Sequence, residues 1–187
     1  MTSFKLNYRR RQANIILIFI ALVVSMSNSL FAEQTATSIT ASEIKQTLKQ
    51  VGKTRFSVLF WDVYDSELFT TSGKYDESLP ILFEITYLRD IESKELIDNT
   101  VDQWQHLEYK KAEYQPFVEP LRKLWPDITE GDKLTLLVEE NRSVFYFNDQ
   151  EQGAIDNLQF GPMFIAIWLS PDTSEPKLRR ALLGIKQ

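Results

Sequence analysis

Apolar residues recur at helical spacing in five segments of the chain, and each segment is predicted to form a helix. The clearest is 93–107, whose apolar residues share one face while charged residues occupy the other. Residues 158–169 are apolar nearly all round, which predicts a buried helix. The other three predicted helices are 41–50, with a capping box of Thr40 and Glu43 and an end at Gly52; a weaker one within 109–126, ended by Pro126; and a last one that begins at Ser174 and ends at Gly184.

Runs rich in β-branched and aromatic residues predict the strands. Residues 56–71 fit either one long bent strand or two strands, and the alternation in 81–88 places its aromatic residues on one face. Two shorter runs, 134–138 and 144–147, flank a polar turn and predict a hairpin. Gly153 is predicted to mark a further turn.

The order of these elements predicts an α+β fold. Strands and helices do not alternate one for one, which disfavours a doubly wound parallel sheet. An antiparallel sheet with helices packed on one face accommodates the order helix, strands, helices, hairpin, helices. We therefore expect a single folded domain over residues 40–187.

The first 32 residues have the layout of a secretory signal peptide. Four basic residues come first, an unbroken apolar run spans Ile15 to Val24, and small polar residues lead to Ala32. We predict cleavage after Ala32, with Ser29 as the alternative, followed by a flexible leader over 33–39. A retained anchor is the competing interpretation, but ten apolar residues are about half of the ~20 that span a bilayer.

This signal predicts a periplasmic or secreted protein with no stable membrane span after cleavage. The whole chain has 21 basic and 26 acidic residues, a net charge of −5, and removal of residues 1–32 takes away four basic and no acidic residues, leaving −9. An acidic protein of this kind is not expected to bind nucleic acid. A protein partner is neither indicated nor excluded.

The composition also limits the chemistry. The chain has no cysteine, which excludes disulfides, thiol catalysis and thiolate metal sites. Its single histidine, His106, rules out multi-histidine metal sites. We therefore predict no cofactor and no metal.

Arg55 is the first candidate ligand-binding residue. It begins a run of Phe, Val and Trp residues predicted to be a strand. Facing inward, its guanidinium would be a buried cation that requires an anionic partner, from the protein or from a ligand. Facing outward, it would be solvated. The abundant aromatic residues can line an apolar pocket or simply fill the core.

An ordered set of motifs resembles the bacterial branch of the chalcone isomerase-like proteins. The similarity extends over roughly residues 44–184, and no single motif in it is diagnostic. The motifs are Trp61-Asp62-Val63-Tyr64-Asp65 with Leu68-Phe69, Tyr87-Leu88-Arg89-Asp90-Ile91, Trp104, Pro126-Asp127 with Gly131-Asp132, Phe145-Tyr146-Phe147-Asn148, Ile167-Trp168-Leu169-Ser170, Leu178-Arg179 and Leu182-Leu183-Gly184.

The resemblance implies an open-faced β-sandwich with a cleft between the sheet and its helices. Plant chalcone isomerases close a flavanone ring, and related non-catalytic members bind fatty acids with an arginine facing the carboxylate. By resemblance, Arg55 stands for that arginine and Asn99 for the family asparagine. The catalytic tyrosine and threonine positions are taken by Glu92 and Leu59, and the specificity pair is Ile167-Trp168. Each lost hydrogen-bond donor costs about 10²–10³ in rate, so ring closure is not expected.

We therefore predict an exported, non-catalytic chalcone isomerase-like protein that binds a small amphipathic or carboxylate ligand. The expected ligand-binding residues are Arg55, Tyr64, Tyr87 and Asn99. One alternative is an intramolecular lyase or isomerase on another substrate, with Tyr64, Tyr87 or Glu92 as acid–base groups. The other is a structural or interaction module whose cleft is filled.

Overall fold

A computed structural model describes residues 39–185 of the chain. The predicted signal peptide, 1–32, and nearly all of the predicted leader lie outside the described residues. In chain order the elements are α1 (Ala41–Thr47), β1 (Lys49–Val58), β2 (Trp61–Thr70), β3 (Ile81–Tyr87), α2 (Ser93–His106), α3 (Lys111–Leu124), β4 (Lys133–Val138), β5 (Ser143–Phe147), β6 (Gln150–Ile155), α4 (Phe160–Leu169) and α5 (Pro176–Leu182).

The six strands form one antiparallel sheet in the order β1-β2-β3-β4-β5-β6. Each strand pairs with its neighbour in the chain, as in the registers Leu68↔Phe83, Phe83↔Leu136 and Leu136↔Phe145. The helical segment 93–124 is inserted between β3 and β4, whose antiparallel pairing does not require a crossover helix. The predicted antiparallel sheet is therefore confirmed.

Strand alternation gives the sheet two apolar faces. The inner face carries the row Leu68, Phe83, Leu136 and Phe145, and helices α2–α5 pack against it in the larger hydrophobic core. The outer face carries a second, smaller row, with Leu82 and its neighbours packed against α1. The main helical layer thus lies on one face, as predicted, and the short α1 covers part of the other.

A buried ion pair attaches α1 to the outer face. The Glu84 carboxylate on β3 has 3% of its side chain exposed, and Lys45 of α1 donates to it at 2.7 Å. The same ammonium group donates to Glu67 on β2 at 2.6 Å, and the Thr135 hydroxyl donates to Glu84. Glu84 is therefore a buried charge that has both a cationic partner and a second hydrogen bond.

Three predicted boundaries are wrong, and the structure gives a reason for each. Gly52 does not end α1 but lies inside β1, where α5 passes so close that a side chain would meet the carbonyl oxygen of Ala181 at 2.3 Å. Gly153 lies within the unpredicted strand β6, and the turn before that strand uses Asn148 and Asp149 at positive φ. Ser174 does not cap α5, since its hydroxyl instead donates to Gln103 of α2.

A cluster of aromatic residues makes the helical layer rigid. Trp104 is fully buried, and its indole Nε1 donates to the Met163 carbonyl at 3.2 Å. Phe164 lies edge-on to Phe145 and to Trp125, with ring centroids 5.8 and 5.7 Å apart. Such edge-to-face pairs favour one relative placement of sheet and helices.

In the part of the chain that the structure describes, no helix is both long and apolar enough to cross a membrane.

The Lys45–Glu84 pair predicts a specific effect of losing the cation. Lys45→Met leaves the Glu84 carboxylate buried with no positive partner, and we expect this to lower the free energy of unfolding by about 3 kcal/mol. Chemical denaturation measures the change. Lys94→Met is the matched control, because its pair with Asp98 is exposed and should contribute less than about 1 kcal/mol. Equal effects of the two substitutions would contradict this account.

Candidate functional site

A cavity of about 400 Å³ lies between the inner face of the sheet and the helical layer. Its volume is within the range of small-molecule sites. Most of its walls are apolar or aromatic. The lining residues are Phe56, Val58, Val63, Tyr64, Phe83, Ile85, Tyr87, Arg89, Ile91, Glu95, Leu96, Asn99, Thr100, Gln103, Trp125, Leu134, Leu136, Phe145, Phe164, Ile167, Trp168, Ser174 and Glu175.

The strands place alternate residues in this cavity. Phe83, Ile85 and Tyr87 of β3 all point inward, while Leu82 and Glu84 point to the outer face. This is the two-residue period of an extended chain. On the opposite side, Trp168 of α4 packs against Phe83 with ring centroids 4.7 Å apart. The predicted single face of 81–88 is thus confirmed.

Three polar groups in the cavity walls can donate hydrogen bonds. The Tyr64 hydroxyl accepts a hydrogen bond from Trp168 Nε1 at 2.9 Å, so its own proton is left to donate elsewhere. The Tyr87 side chain is 4% exposed, and it lines the same cavity. The buried Trp125 Nε1 has no hydrogen-bond partner in the described chain. The interior walls therefore offer hydrogen-bond donors to a ligand.

Burial keeps both phenols in their neutral, donating form. It raises the pKa of Tyr64 to about 12; the hydrogen bond from Trp168 acts in the opposite direction, and the Glu175 carboxylate adds to the rise. Burial also raises the pKa of Tyr87, and the neighbouring Tyr64 contributes. The two rings lie edge to face with centroids 6.2 Å apart. Near neutral pH these groups are hydrogen-bond donors and poor bases.

Charged and polar side chains surround the mouth of the cavity. Arg89, Glu95 and Asn99 are exposed lining residues, as are Ser174 and Glu175. These groups belong to three parts of the chain: the segment after β3, helix α2, and the segment before α5. The mouth is therefore polar and wet, whereas the interior is apolar.

Arg55 does not reach the cavity, which contradicts the expectation that it faces the cleft. Its guanidinium lies on the outer side of β1, where it donates to Asp65 at 2.7 Å and to Asp62 at 2.8 Å. Half of the Arg55 side chain is exposed. The adjacent Phe56 lines the cavity, and strand alternation then directs Arg55 to the opposite face.

The other expected ligand-binding residues come together. Tyr64, Tyr87 and Asn99 all line the cavity, although no ligand is present to test their roles. Several polar lining residues, Arg89 among them, were not predicted, and Trp125 was predicted only as one of the aromatic residues that line a pocket or fill the core. Arg89 continues the two-residue alternation of Phe83, Ile85 and Tyr87, so the pattern contained a signal for it. Nothing in the sequence distinguished Trp125 from an ordinary core residue.

Glu92 and Leu59, at the positions that correspond to the family's catalytic tyrosine and threonine, do not lie in the cavity. Glu92 directly precedes α2, is exposed, and does not line the cavity. Leu59 lies at the exposed tip of the β1–β2 hairpin. The three proposed acid–base groups therefore do not converge, because only Tyr64 and Tyr87 share the cavity. Within residues 39–185, no cluster of three or more His, Cys, Asp or Glu side chains is arranged to hold a metal ion.

Comparisons with known proteins agree with this architecture. A family model described as chalcone isomerase-like matches residues 29–184. An uncharacterized protein of Haemophilus influenzae is 26% identical over 135 residues, which cover 72% of this chain and 67% of that protein. The crystal structure of an Arabidopsis thaliana fatty-acid binding protein matches with a TM-score of 0.58 and 8% identity, covering 73% of this chain and 87% of that chain. The last match concerns the fold alone, and it confirms the predicted open-faced sheet with layered helices.

The raised pKa of Tyr64 predicts how stability changes in alkali. An unfolded tyrosine ionises near pH 10, whereas Tyr64 ionises near pH 12 in the folded protein. The stabilisation is complete below pH 10 and is lost as the pH rises towards 12. A near-ultraviolet absorbance titration should show late-ionising tyrosines, and Tyr64→Phe should remove one of them while Tyr87 remains. A Tyr64→Phe titration identical to that of the parent protein would contradict this assignment.

Proposed function

The chain belongs to the chalcone isomerase-like family, and we propose that it is a non-catalytic member that binds a small amphipathic ligand in the cavity described above. The ligand has an apolar tail or ring and a head group that accepts hydrogen bonds, as a fatty acid does. The observation that carries this proposal is an apolar cavity whose walls include two protonated phenols and the buried Trp125 Nε1, which has no partner in the described chain.

The apolar walls supply the favourable free energy of binding. Each CH₂ group moved from water into such a cavity contributes about 0.8 kcal/mol. An eight-carbon tail therefore supplies several kcal/mol before the costs of ordering and immobilising the ligand are subtracted. A filled interior would have favoured the structural-module alternative, but the described chain leaves about 400 Å³ open.

The donors in the cavity walls supply selectivity for the head group. An unsatisfied buried donor costs about 1–3 kcal/mol, and a ligand oxygen placed against it recovers much of that cost. In the described chain Trp125 Nε1 is a donor of this kind, and the protonated hydroxyls of Tyr64 and Tyr87 are further donors in the cavity walls. A ligand without an acceptor atom would leave the Trp125 donor unpaired. The Arabidopsis fatty-acid binding protein has the same fold, which fits a carboxylic acid as the head group.

The chemistry of the cavity favours binding over catalysis. Its interior acid–base groups are two phenols whose pKa values are raised, so that neither is an effective base near neutral pH. Arg55, the residue expected to guide an anionic substrate, lies outside in an ion pair. The carboxylates of Glu95 and Glu175 lie at the exposed mouth. No observation in the described residues favours the lyase alternative.

Calorimetric titration with octanoic and dodecanoic acid tests the proposal. We expect the longer acid to bind more tightly, and Tyr87→Phe to weaken binding roughly tenfold, because one hydrogen bond to the head group is lost. Tyr146→Phe is the matched control, since Tyr146 is equally buried but packs on the outer face. Arg55→Ala should also leave the affinity unchanged. Failure of either acid to bind, or equal losses in Tyr87→Phe and Tyr146→Phe, would refute this function.

We also propose that residues 1–32 direct export and are removed. The proposal rests on the basic start and the apolar run from Ile15 to Val24 in the sequence. Intact-mass measurement of the protein recovered from the periplasm should show a chain that begins at Glu33, or at Leu30 if cleavage follows Ser29. An uncleaved chain retained in the cytoplasm would show that the segment is not an export signal.

A further inference from the structure

The tip of the β1–β2 hairpin is unusually apolar and exposed. It comprises Val58, Leu59, Phe60 and Trp61, which we call the apolar tip. The exposed fractions are 49% for Val58, 87% for Leu59, 97% for Phe60 and 73% for Trp61. Four consecutive large apolar residues in solvent are unfavourable for a soluble domain and often mark an interaction site.

The turn chemistry does not explain these residues. Val58 pairs with Trp61, so Leu59 and Phe60 form a two-residue loop. Such loops favour glycine, asparagine or aspartate, because they require positive φ. Here Leu59 adopts φ +56°, a strained conformation for a residue with a bulky side chain. Leu-Phe at this position favours neither the stability of the fold nor the solubility of the protein. This points to a role in contact with another molecule.

The apolar tip is continuous with the mouth of the cavity. Phe56 and Val58, at the end of β1, line the cavity directly. Trp61 lines a shallow depression that it shares with Arg89, and Arg89 also lines the cavity. A molecule entering beside Arg89 therefore passes next to the apolar tip.

We propose that the apolar tip inserts into a lipid surface, so that an amphipathic ligand passes between the membrane and the cavity without crossing water. The proposal rests on the proposed function, because it concerns the route to the same cavity. Leucine and phenylalanine side chains are suited to the acyl region, and tryptophan to the headgroup boundary. The three occur here side by side on a protruding turn.

The size of the tip favours a lipid surface over a protein partner. Leu59, Phe60 and Trp61 together offer on the order of 500 Å², which is less than the roughly 800 Å² per partner in a stable protein interface. The flanking residues do not extend the apolar surface, since Arg55, Asp62 and Asp65 form exposed ion pairs beside it. Shallow insertion into lipid requires no such extension.

The local charge specifies the kind of membrane. Asp62, Asp90 and Glu130 lie around the depression next to Trp61, with Arg89 among them, and the whole chain carries −5. Anionic lipids would be repelled by this surface. We therefore expect binding to zwitterionic phosphatidylcholine that is driven by burial of the apolar tip and changes little with salt.

Fluorescence titration with phosphatidylcholine vesicles tests this inference. Trp61 is the most exposed of the four tryptophans, so its transfer into lipid should shift the emission to the blue and protect it from aqueous quenchers. The signal comes from the tip itself and is not produced by the apolar segment 15–24. The double substitution Leu59→Gly/Phe60→Ser should weaken vesicle binding at least tenfold.

This variant separates insertion from folding and from ligand binding. Glycine and serine suit a two-residue hairpin loop, so the midpoint of thermal unfolding should rise, by about 2–4 °C. Dodecanoic acid should bind it in vesicle-free solution as it binds the parent protein, because neither residue lines the cavity. Leu158→Ser is the matched control, since Leu158 is 64% exposed in the loop before α4; it should retain vesicle binding.

Results of two kinds would overturn the inference. One is a parent protein whose Trp61 emission does not respond to phosphatidylcholine, or a double variant that binds vesicles equally well. The other is a dimer in sedimentation that the double substitution disrupts, with no vesicle binding, which would assign the tip to a second copy of the chain. If dodecanoic acid does not bind the parent protein in vesicle-free solution, the proposed function is refuted instead.

Discussion

The structure depends on incomplete packing between one sheet face and the helices that cover it. The inner face of the six-stranded meander is apolar, and the aromatic residues of α2–α4 lock onto its β5 side, where Phe145, Phe160 and Phe164 contact one another. Beside these contacts about 400 Å³ stays open between the layers, and Phe145 and Phe164 themselves line part of it. Close packing among the aromatic rings resists local rearrangement, which opposes collapse of the open space.

The two faces of the sheet differ in whether their buried polar groups have protein partners. On the outer face, the buried Glu84 carboxylate has a cation and a hydroxyl as partners. On the inner face, the buried Trp125 Nε1 is a donor that the described chain does not satisfy. Folding alone would favour the first solution everywhere, because unsatisfied buried donors destabilise the folded state. The presence of such a donor beside an open cavity is the physical basis for the inferred ligand.

The strained, exposed turn at Leu59 is a feature at the surface that likewise opposes stability. Positive φ in leucine and two solvated apolar side chains both oppose folding and solubility. Two local features therefore oppose stability: the unpaired donor inside the cavity and the apolar tip beside its mouth. Both lie along the inferred route into the cavity. Features of this kind are expected where function competes with stability.

The sequence by itself determined the fold class, because the two-residue period of the strands and the apolar face of 93–107 are local properties. It also determined which β3 residues face inward, since Phe83, Ile85 and Tyr87 share one side of any strand. The tertiary structure decided the features that the periodicity of strands and helices does not specify. The direction of Arg55 followed from the packing of Phe56 and from the carboxylates of Asp62 and Asp65 across the hairpin. The close approach of α5, over a hundred residues later in the chain, leaves no room for a side chain at Gly52 in β1. The unpaired state of Trp125 likewise depends on which atoms surround it, and that arrangement exists only once sheet and helices have packed.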